Sequence, residues 1–182
     1  GLRLAKGEYI ARIDADDISH PDRFSLQIEF LQKKPEIALL GSSCEYIDSK
    51  NAVIGKWIAY VDHTQIINAF SKHNPFAHSS VIFNKNVVLE LGGYSENFEY
   101  AQDLSLWIKI SSKYKTANIN ELLTQIRIHD NQITNNPFLS KTRLKENIYN
   151  FSTILSLPGV SIINKLHISI NIIRSLIILC LK

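Results

Sequence analysis

Short apolar runs and longer amphipathic stretches alternate along most of the chain. Runs rich in apolar and β-branched side chains predict strands at residues 8–13, 37–40, 44–47, 53–61 and 79–83, with one or two more within 118–128. Apolar side chains that return every three or four residues, together with capping residues, predict helices at residues 19–34, 62–70, 86–91 and 102–114. Strands and helices mixed in this order predict an α/β domain.

Two of these helices have a side that the pattern predicts to be buried. In the first, Ser19 is expected to cap the N-terminus, and Phe24, Ile28 and Leu31 recur at helical spacing on the side expected to face the core. In the last, Trp107 shares helical spacing with other apolar residues, which indicates a core position rather than a surface that stacks on a sugar.

The C-terminal part of the chain differs in character. Residues 142–157 and 162–181 predict two helices, separated by the helix-breaking pair Pro158-Gly159. The second helix is mostly Ile and Leu, but a polar stripe disfavours a simple transmembrane span. It fits an amphipathic helix that lies on a membrane surface or one that packs against a missing element of the protein. The polar residues on one side are Asn164, His167, Asn171, Arg174 and Ser175.

Composition narrows the function classes. The chain has 182 residues, of which 45% are hydrophobic and 20% charged, as in ordinary globular domains. A net charge of +3 is too small to argue for nucleic acid as a partner. Cys44 and Cys180 lie in apolar contexts without metal-ligand spacing, which favours a reducing, cytoplasmic compartment. The first residues lack the basic and apolar segments of a signal peptide.

Three carboxylates crowd into the four residues Asp14-Ala15-Asp16-Asp17, directly after the first predicted strand. Like charges this close raise the cost of ionising one another, which favours a bound cation. Oxygen ligands prefer Mg²⁺ or Mn²⁺ to zinc, and such ions commonly hold phosphates. The cluster therefore predicts a phosphorylated or nucleotide-linked substrate, with a solvated acidic turn or a helix cap as the alternative interpretation.

Four sequence blocks, in this order, resemble those of the inverting family 2 glycosyltransferases, which have the GT-A fold. The resemblance covers residues 1–135 and implies a GT-A-like mixed sheet flanked by helices. Residues 136–182 are then a helical C-terminal extension. The blocks are residues 5–17 (AKGEYIARIDADD) with 21–23 (PDR), residues 74–80 (NPFAHSS), residues 91–94 (LGGY) with 102–107 (QDLSLW), and residues 126–129 (IRIH).

The resemblance implies a donor site around the acidic residues. Asp16 is expected to bind the metal directly, and Asp14 to lie near the ribose or a metal-bound water. Asp17 is expected to belong to the same cofactor site. His129 is expected to bind the diphosphate or complete the metal shell, with a hydrogen-bonded structural histidine as the alternative. Arg23 could reach a phosphate, but an arginine on the first turn of a helix is usually solvated.

The resemblance also implies a catalytic base and an acceptor site. Asp103 matches the base that takes the proton of the acceptor hydroxyl, and a helix N-terminus would keep it ionised. The alternative is a carboxylate that only caps the helix. The predicted acceptor-binding residues are His78, Gly93, Tyr94 and Gln102. Gln102 stands where the family usually has Glu, and the favoured alternative for His78 is that it pins a loop.

The resulting prediction is an inverting glycosyltransferase of bacterial surface glycan biosynthesis. Its expected donor is a nucleoside diphosphate sugar, with a UDP-sugar favoured, its acceptor a glycan or a lipid-linked hydroxyl, and its cofactor Mn²⁺ or Mg²⁺. The expected location is the cytoplasm, with peripheral contact to the inner face of the plasma membrane. Because the chain contains no methionine and begins partway through the family pattern, the N-terminal nucleotide-binding part is expected to be missing. Two other classes stay open, namely an inert remnant or partner-binding module and a nucleotidyltransferase of related fold.

Overall fold

The computed structural model describes residues 1–129 and 140–181. The strands are β1 (Tyr9–Ala11), β2 (Ile18–Ser19), β3 (Ile37–Ile47), β4 (Val53–Trp57), β5 (Ile82–Asn84) and β6 (Lys115–Arg127). The α-helices are α1 (Arg23–Lys33), α2 (His63–Ala69), α3 (Lys85–Glu90), α4 (Gln102–Lys113), α5 (Lys141–Leu155) and α6 (Ile162–Leu181), and one 3-10 turn spans His78–Ser80.

The long strand β3 organises the sheet. β6 runs parallel to β3 along its length, while β5 and β4 pair antiparallel with its first and second halves. β1 pairs with β5 and β2 pairs with β6, both antiparallel. The strand order is therefore β1-β5-β3-β6-β2, with β4 beside β3. This mixed sheet with flanking helices confirms the α/β class.

β3 is one continuous strand, although the sequence predicts a break where Gly41 and two serines interrupt the apolar run. The polar interruption is tolerated because Ser43 Oγ accepts a hydrogen bond from Ala59 N at 3.0 Å, which satisfies a buried hydroxyl. A Cβ at Gly41 would lie 2.1 Å from Asn118 Oδ1 of β6. The close approach of β3 and β6 therefore requires glycine at this position.

Three predicted strands are shorter in the structure. β1 covers Tyr9–Ala11 instead of residues 8–13. β4 ends at Trp57 instead of residue 61. β5 begins at Ile82 instead of residue 79, because His78–Ser80 form the 3-10 turn that precedes it. That turn is closed by a hydrogen bond from Ser80 N to Ala77 O at 2.9 Å. The chain changes direction at this turn, just before β5. The side chains of the turn can therefore contact neighbouring loops.

Neighbouring residues of β3 face opposite sides of the sheet and belong to separate cores. Leu39 packs in the larger core with Phe83 of β5 and Trp107 of α4. Leu40 packs in a smaller core with Leu31 of α1. α1 therefore covers one face of the sheet, and the other helices contribute to the core on the opposite face.

α1 begins later than predicted and buries a different side. Ser19 lies in β2, so it does not cap the helix. Phe24, expected in the core, is 51% exposed. Arg23, expected to be solvated, is fully buried. Its guanidinium donates to the backbone carbonyl of Arg12 at 2.8 Å and to that of Val81 at 3.0 Å, which also accepts from Arg12 N. These buried acceptors explain why an arginine occupies the interior.

The middle helices follow the predicted end signals. Asp62 caps α2 by accepting a hydrogen bond from Gln65 N at 2.9 Å. α3 is followed by Gly92 and Gly93, whose φ angles of +85° and +69° favour glycine. α4 begins at Gln102 as predicted, and Trp107 is fully buried, which confirms its core position.

The two C-terminal helices pack on the same core as the sheet. Ile154 of α5, Leu157 in the connection and Ile168 of α6 belong to the buried cluster that contains Trp107. The predicted helix at residues 162–181 is present with the same bounds. The predicted domain boundary at residue 135 lies outside the described residues and stays a prediction.

Candidate active site

The acidic loop, residues 14–17, lies beside the end of β6. Arg127 N donates to Asp17 Oδ1 at 2.8 Å, and Arg127 Nε donates to the backbone carbonyl of Asp16 at 3.0 Å. His129 Nε2 lies 3.2 Å from Asp16 Oδ2. The fold therefore brings together three predicted cofactor-binding residues that lie at opposite ends of the matched sequence.

Asp14 is held by a different set of hydrogen bonds. Arg12 Nη2 donates to Asp14 Oδ1 at 2.6 Å. Ser79 Oγ donates to Asp14 Oδ2 at 3.0 Å and also accepts from Asp14 N at 3.0 Å. Burial alone would raise the pKa of Asp14, but the hydrogen bonds from Arg12 and Ser79, with the nearby positive charge, lower it overall. Asp14 is thus an ionised carboxylate held in a fixed direction.

The crowding of acidic residues is in part relieved by the chain itself. Arg12 forms an ion pair with Asp14, so this carboxylate has a positive partner within the fold. Asp17 behaves differently, because burial raises the pKa of its carboxyl, and the charges of Asp16 and Asp14 raise it further against the opposing hydrogen bonds. The electrostatic case for a metal is therefore weaker at Asp14, while the repulsion between carboxylates persists at Asp17.

A metal ion would find one suitable carboxylate here rather than a complete cage. Across residues 1–129 and 140–181, no three His, Cys, Asp or Glu side chains are grouped to hold a metal. Mg²⁺ usually uses one or two carboxylates together with substrate phosphates and water. Asp16 fits that need, since its side chain is 43% exposed beside His129, whereas Asp14, at 45%, is already paired with Arg12. The donor set suits an ion that arrives with a diphosphate.

A short segment, residues 74–80, connects the acidic loop to α4; we call it the bridging segment. At one end, Asn74 Nδ2 donates to Asp103 Oδ2 at 2.8 Å. At the other end, Ser79 holds Asp14. Asn74 Oδ1 accepts from Phe76 N at 3.2 Å, which fixes the orientation of the amide so that its NH₂ faces Asp103. The predicted base and the predicted donor site therefore lie on the same side of the molecule.

His78 and Tyr94 lie between the two groups of carboxylates. His78 Nε2 is 3.1 Å from the Tyr94 hydroxyl, and both rings pack against Trp107 with centroid distances of 5.9 and 6.2 Å. Burial lowers the pKa of His78, opposed by the charges of Asp103 and Asp14. Burial also raises the pKa of Tyr94 to about 12. The pair is neutral at pH 7 and offers polar atoms without charge.

Asp103 is the second residue of α4, where the positive end of the helix favours a carboxylate. Gln102 begins the helix with an exposed side chain, as expected for a residue that could meet a ligand. Gly93, the fourth predicted acceptor residue, is buried in a left-handed conformation beside Tyr94. Its position indicates that it shapes the turn carrying Tyr94 rather than presenting a surface of its own.

Sequence reasoning missed a buried carboxylate behind the predicted base. Glu146 of α5 is 5% exposed. Its Oε1 accepts from Glu99 N at 2.6 Å, and its Oε2 accepts from Tyr100 N at 3.1 Å and Ala101 N at 2.9 Å. These amides immediately precede α4, so Glu146 anchors the segment from which Asp103 projects. The one available signal was a lone acidic residue in a basic C-terminal stretch.

Two further residues received no role from the sequence. Asn74 lies inside a quoted block, but its bond to Asp103 could not be seen before the fold placed α4 beside the bridging segment. Arg12 lies within another block and pairs with Asp14. The catalytic, metal, donor and acceptor roles of the predicted residues stay predictions, and the structure supplies their common location.

Comparison with known proteins gives a family and a fold. A model described as "Glycosyltransferase like family 2" matches residues 1–150. The chain is 27% identical over 161 residues to the amylovoran biosynthesis glycosyltransferase AmsE of Erwinia amylovora, covering 87% of this chain and 59% of AmsE. It is also 27% identical over 128 residues to a UDP-Gal:alpha-D-GlcNAc-diphosphoundecaprenol beta-1,3-galactosyltransferase of Escherichia coli, covering 70% of this chain and 46% of that enzyme.

A solved structure matches nearly the whole chain. The crystal structure of S. aureus TarS 1-349 in complex with UDP-GlcNAc superposes with a TM-score of 0.66 at 12% identity, covering 96% of this chain and 49% of TarS. This likeness confirms the GT-A-like fold. The chain spans between 46% and 59% of the length of the two curated relatives described above.

Proposed function

The chain belongs to the glycosyltransferase-like family 2, and we propose that the protein transfers a sugar, with inversion, from a nucleoside diphosphate sugar to a hydroxyl acceptor. The observation that carries this proposal is the bridging segment. Through Ser79 and Asn74, this one segment holds Asp14 of the donor side and Asp103 of the acceptor side. Two substrates held at these positions would meet between them.

Asp103 acts as the general base. It accepts the proton of the acceptor hydroxyl, whose oxygen forms a bond to the anomeric carbon as the bond from that carbon to the diphosphate oxygen breaks. The nucleoside diphosphate leaves with the electron pair, on the face opposite the attacking oxygen. Asn74 occupies one oxygen of Asp103, and this hydrogen bond orients the carboxylate toward its proton.

The donor side is formed by the acidic loop and the end of β6. Asp16 would hold Mn²⁺ or Mg²⁺, with Asp14 near the ribose or a bound water and with Asp17 and His129 in the same cofactor site. The ion supplies charge neutralisation for the leaving diphosphate when it is bound. Arg127 keeps Asp16 in place through its backbone carbonyl, and Arg12 fixes the direction of Asp14.

The acceptor side is lined by His78, Tyr94 and Gln102, with Gly93 forming the turn below them. The neutral His78–Tyr94 pair offers hydrogen-bonding atoms without competing for the proton that Asp103 must take. A sugar acceptor presents several hydroxyl groups. These can form hydrogen bonds with the uncharged polar atoms of His78 and Tyr94, whose rings pack on buried Trp107.

Relatives support the classes of substrate. The name of the Escherichia coli relative specifies a UDP-sugar donor and a diphosphoundecaprenol-linked acceptor, and TarS was crystallised with UDP-GlcNAc. We therefore propose a UDP-sugar as donor and a glycan or lipid-linked sugar as acceptor, in surface glycan biosynthesis. Such an acceptor would be met at the cytoplasmic face of the plasma membrane.

The test separates chemistry from donor binding in the full-length protein. Asp103→Asn should lower kcat by roughly a hundredfold or more, the usual contribution of a general base, while calorimetry shows unchanged binding of the UDP-sugar with Mn²⁺. Asp16→Asn should instead weaken donor binding and its dependence on Mn²⁺. Glu121→Gln removes an exposed carboxylate from β6 and serves as the control that changes neither quantity.

Each alternative has its own outcome. Sugar transfer by the Asp103→Asn variant at the wild-type rate would refute the assignment of Asp103 as the base. Wild-type protein that binds no donor from a panel of nucleoside diphosphate sugars would favour an inert remnant or a partner-binding module. Formation of a sugar nucleotide from a sugar phosphate and a nucleoside triphosphate would indicate a nucleotidyltransferase.

A further inference from the structure

α6 attaches to the rest of the protein through its polar side. Asn164 Nδ2 donates to Asn68 Oδ1 of α2 at 2.7 Å, and Asn68 Oδ1 also accepts from Ser161 N at 3.0 Å. Ile168 is fully buried and Ser175 is 9% exposed. Asn164 and Ser175 of the polar stripe therefore lie on the side of α6 that faces the protein.

The opposite side of α6 is apolar and exposed. By length and composition α6 could cross a membrane, with a mean hydropathy of 1.5 over its most apolar window. Core helices of soluble proteins pass the same test, but they are mostly buried, whereas 11% of this window is buried. Along an ideal helix the outward residues fall on one continuous arc. They are Ile162, Ile163, Leu166, Ile170, Ile173, Ile177 and Leu181, all at least 46% exposed.

The charges around this apolar arc have one sign. Lys165 falls on one flank of the arc, and His167 and Arg174 fall on the other. Within residues 140–181 the one acidic side chain is Glu146, which is buried against the segment before α4. The exposed charge of the whole α5–α6 unit is therefore positive.

We propose that α6 lies in the plane of an anionic bilayer, with its outward arc among the acyl chains and its flanking basic residues at the lipid phosphates. An apolar arc bordered by Lys and Arg is the pattern of an interfacial helix. The positive charge selects an anionic lipid surface over a neutral protein partner. A spanning orientation would remove Ile168 from the core and break the Asn164–Asn68 bond, so the docked helix lies on the membrane rather than across it.

Vesicle flotation of the full-length protein tests this proposal without any assay of transfer. Wild-type protein should float with vesicles of phosphatidylcholine containing phosphatidylglycerol, and much less with phosphatidylcholine alone. The double variant Ile170→Ser, Ile173→Ser should lower the partition coefficient roughly tenfold or more, because half-exposed isoleucines lose their transfer into lipid. Lys165→Gln with Arg174→Gln should lower the preference for the anionic lipid roughly tenfold.

The matched control is Ile54→Ser on β4. Ile54 is 57% exposed, nearly the same as the 56% of Ile173, but it lies on β4 and not on α6. This variant should float like the wild type. Because every substituted side chain is exposed, circular dichroism should show the same unfolding midpoint for all variants. Flotation that is unaffected by the double isoleucine variant would overturn the proposal.

The depth of the middle of α6 in the bilayer distinguishes a helix that lies in the membrane plane from one that spans the membrane. Ile170 lies near the middle of α6, and a fluorophore can be placed there by Ile170→Cys with Cys180→Ser, because the remaining Cys44 is buried. Bromines near the lipid headgroups should quench this label more than bromines near the bilayer centre. Stronger quenching from the centre would overturn the in-plane orientation. A dimer that the isoleucine variants dissociate, without vesicle binding by the wild type, would show that a second copy covers the arc instead.

Discussion

Glu146→Gln should disturb the candidate active site without changing any residue in it. The substitution keeps the shape of the side chain but replaces one of its two acceptor oxygens with an NH₂ group. In the wild type both oxygens accept hydrogen bonds from backbone amides that precede α4. In the variant, an NH₂ group must face at least one of those amides, because the side chain is 5% exposed and cannot turn toward water.

The expected loss of stability follows from these contacts. A hydrogen bond to a charged group contributes about 1.5–3 kcal/mol, and a buried amide left without an acceptor adds its own cost. We expect the free energy of unfolding to fall by about 2–4 kcal/mol. Asp103 lies two residues after Ala101, so the same loosening should lower kcat by roughly tenfold to a hundredfold. Donor binding should be unchanged, because the donor side is held separately by Arg127 and Ser79.

Urea unfolding, followed by tryptophan fluorescence, which includes buried Trp107, and by circular dichroism, measures the free energy of unfolding. Hydrogen exchange of the amides of Glu99, Tyr100 and Ala101 reports the contact directly, and these amides should exchange faster in the variant. Glu99→Gln is the matched control, because it removes an exposed charge from the same segment and should change stability by less than about 0.5 kcal/mol. An unchanged midpoint with unchanged exchange in Glu146→Gln would show that Glu146 does not hold this segment.

Two other predictions concern buried polar groups. Arg23→Met should reduce the free energy of unfolding by about 3 kcal/mol, because the carbonyl of Arg12 and the side-chain oxygen of Gln27 lose a buried donor; a urea midpoint within error of that of the wild type would contradict this role. Burial raises the pKa of Cys44 to about 12, so its thiol stays protonated in the folded protein at mildly alkaline pH. Iodoacetamide should then modify the exposed Cys180 alone, as judged by mass spectrometry, and equal modification of both thiols before unfolding would show that Cys44 is accessible.

Local patterns predicted well those elements whose ends and burial depend on neighbours in sequence. Asp62 caps α2 as predicted, since a cap needs an acceptor and a free amide three residues away. α4 begins at Gln102 and buries Trp107, because its apolar side chains follow a helical period over twelve residues. Glycines after α3 adopt positive φ, a conformation that other residues rarely occupy.

Burial of polar groups could not be predicted in the same way. Arg23 has no sequence feature that marks it as buried, and its position depends on carbonyls at the ends of β1 and β5. Phe24 is exposed because α1 buries the side that carries Arg23 instead. In the site, Asp103 and Asp14 could be named from matched blocks, but their link through Asn74 and Ser79 required the turn between α2 and β5 to pass both of them.

α6 separates the two kinds of information. The sequence by itself determined that residues 162–181 form a helix with an apolar and a polar side, because side chains repeat every 3.6 residues along any α-helix. Only the tertiary structure decided which side faces the protein. Asn68 accepts a hydrogen bond from Asn164, and Ile168 and Ser175 are buried, so this side turns inward. Most of the isoleucines turn outward, and His167 and Arg174 of the polar stripe stay exposed.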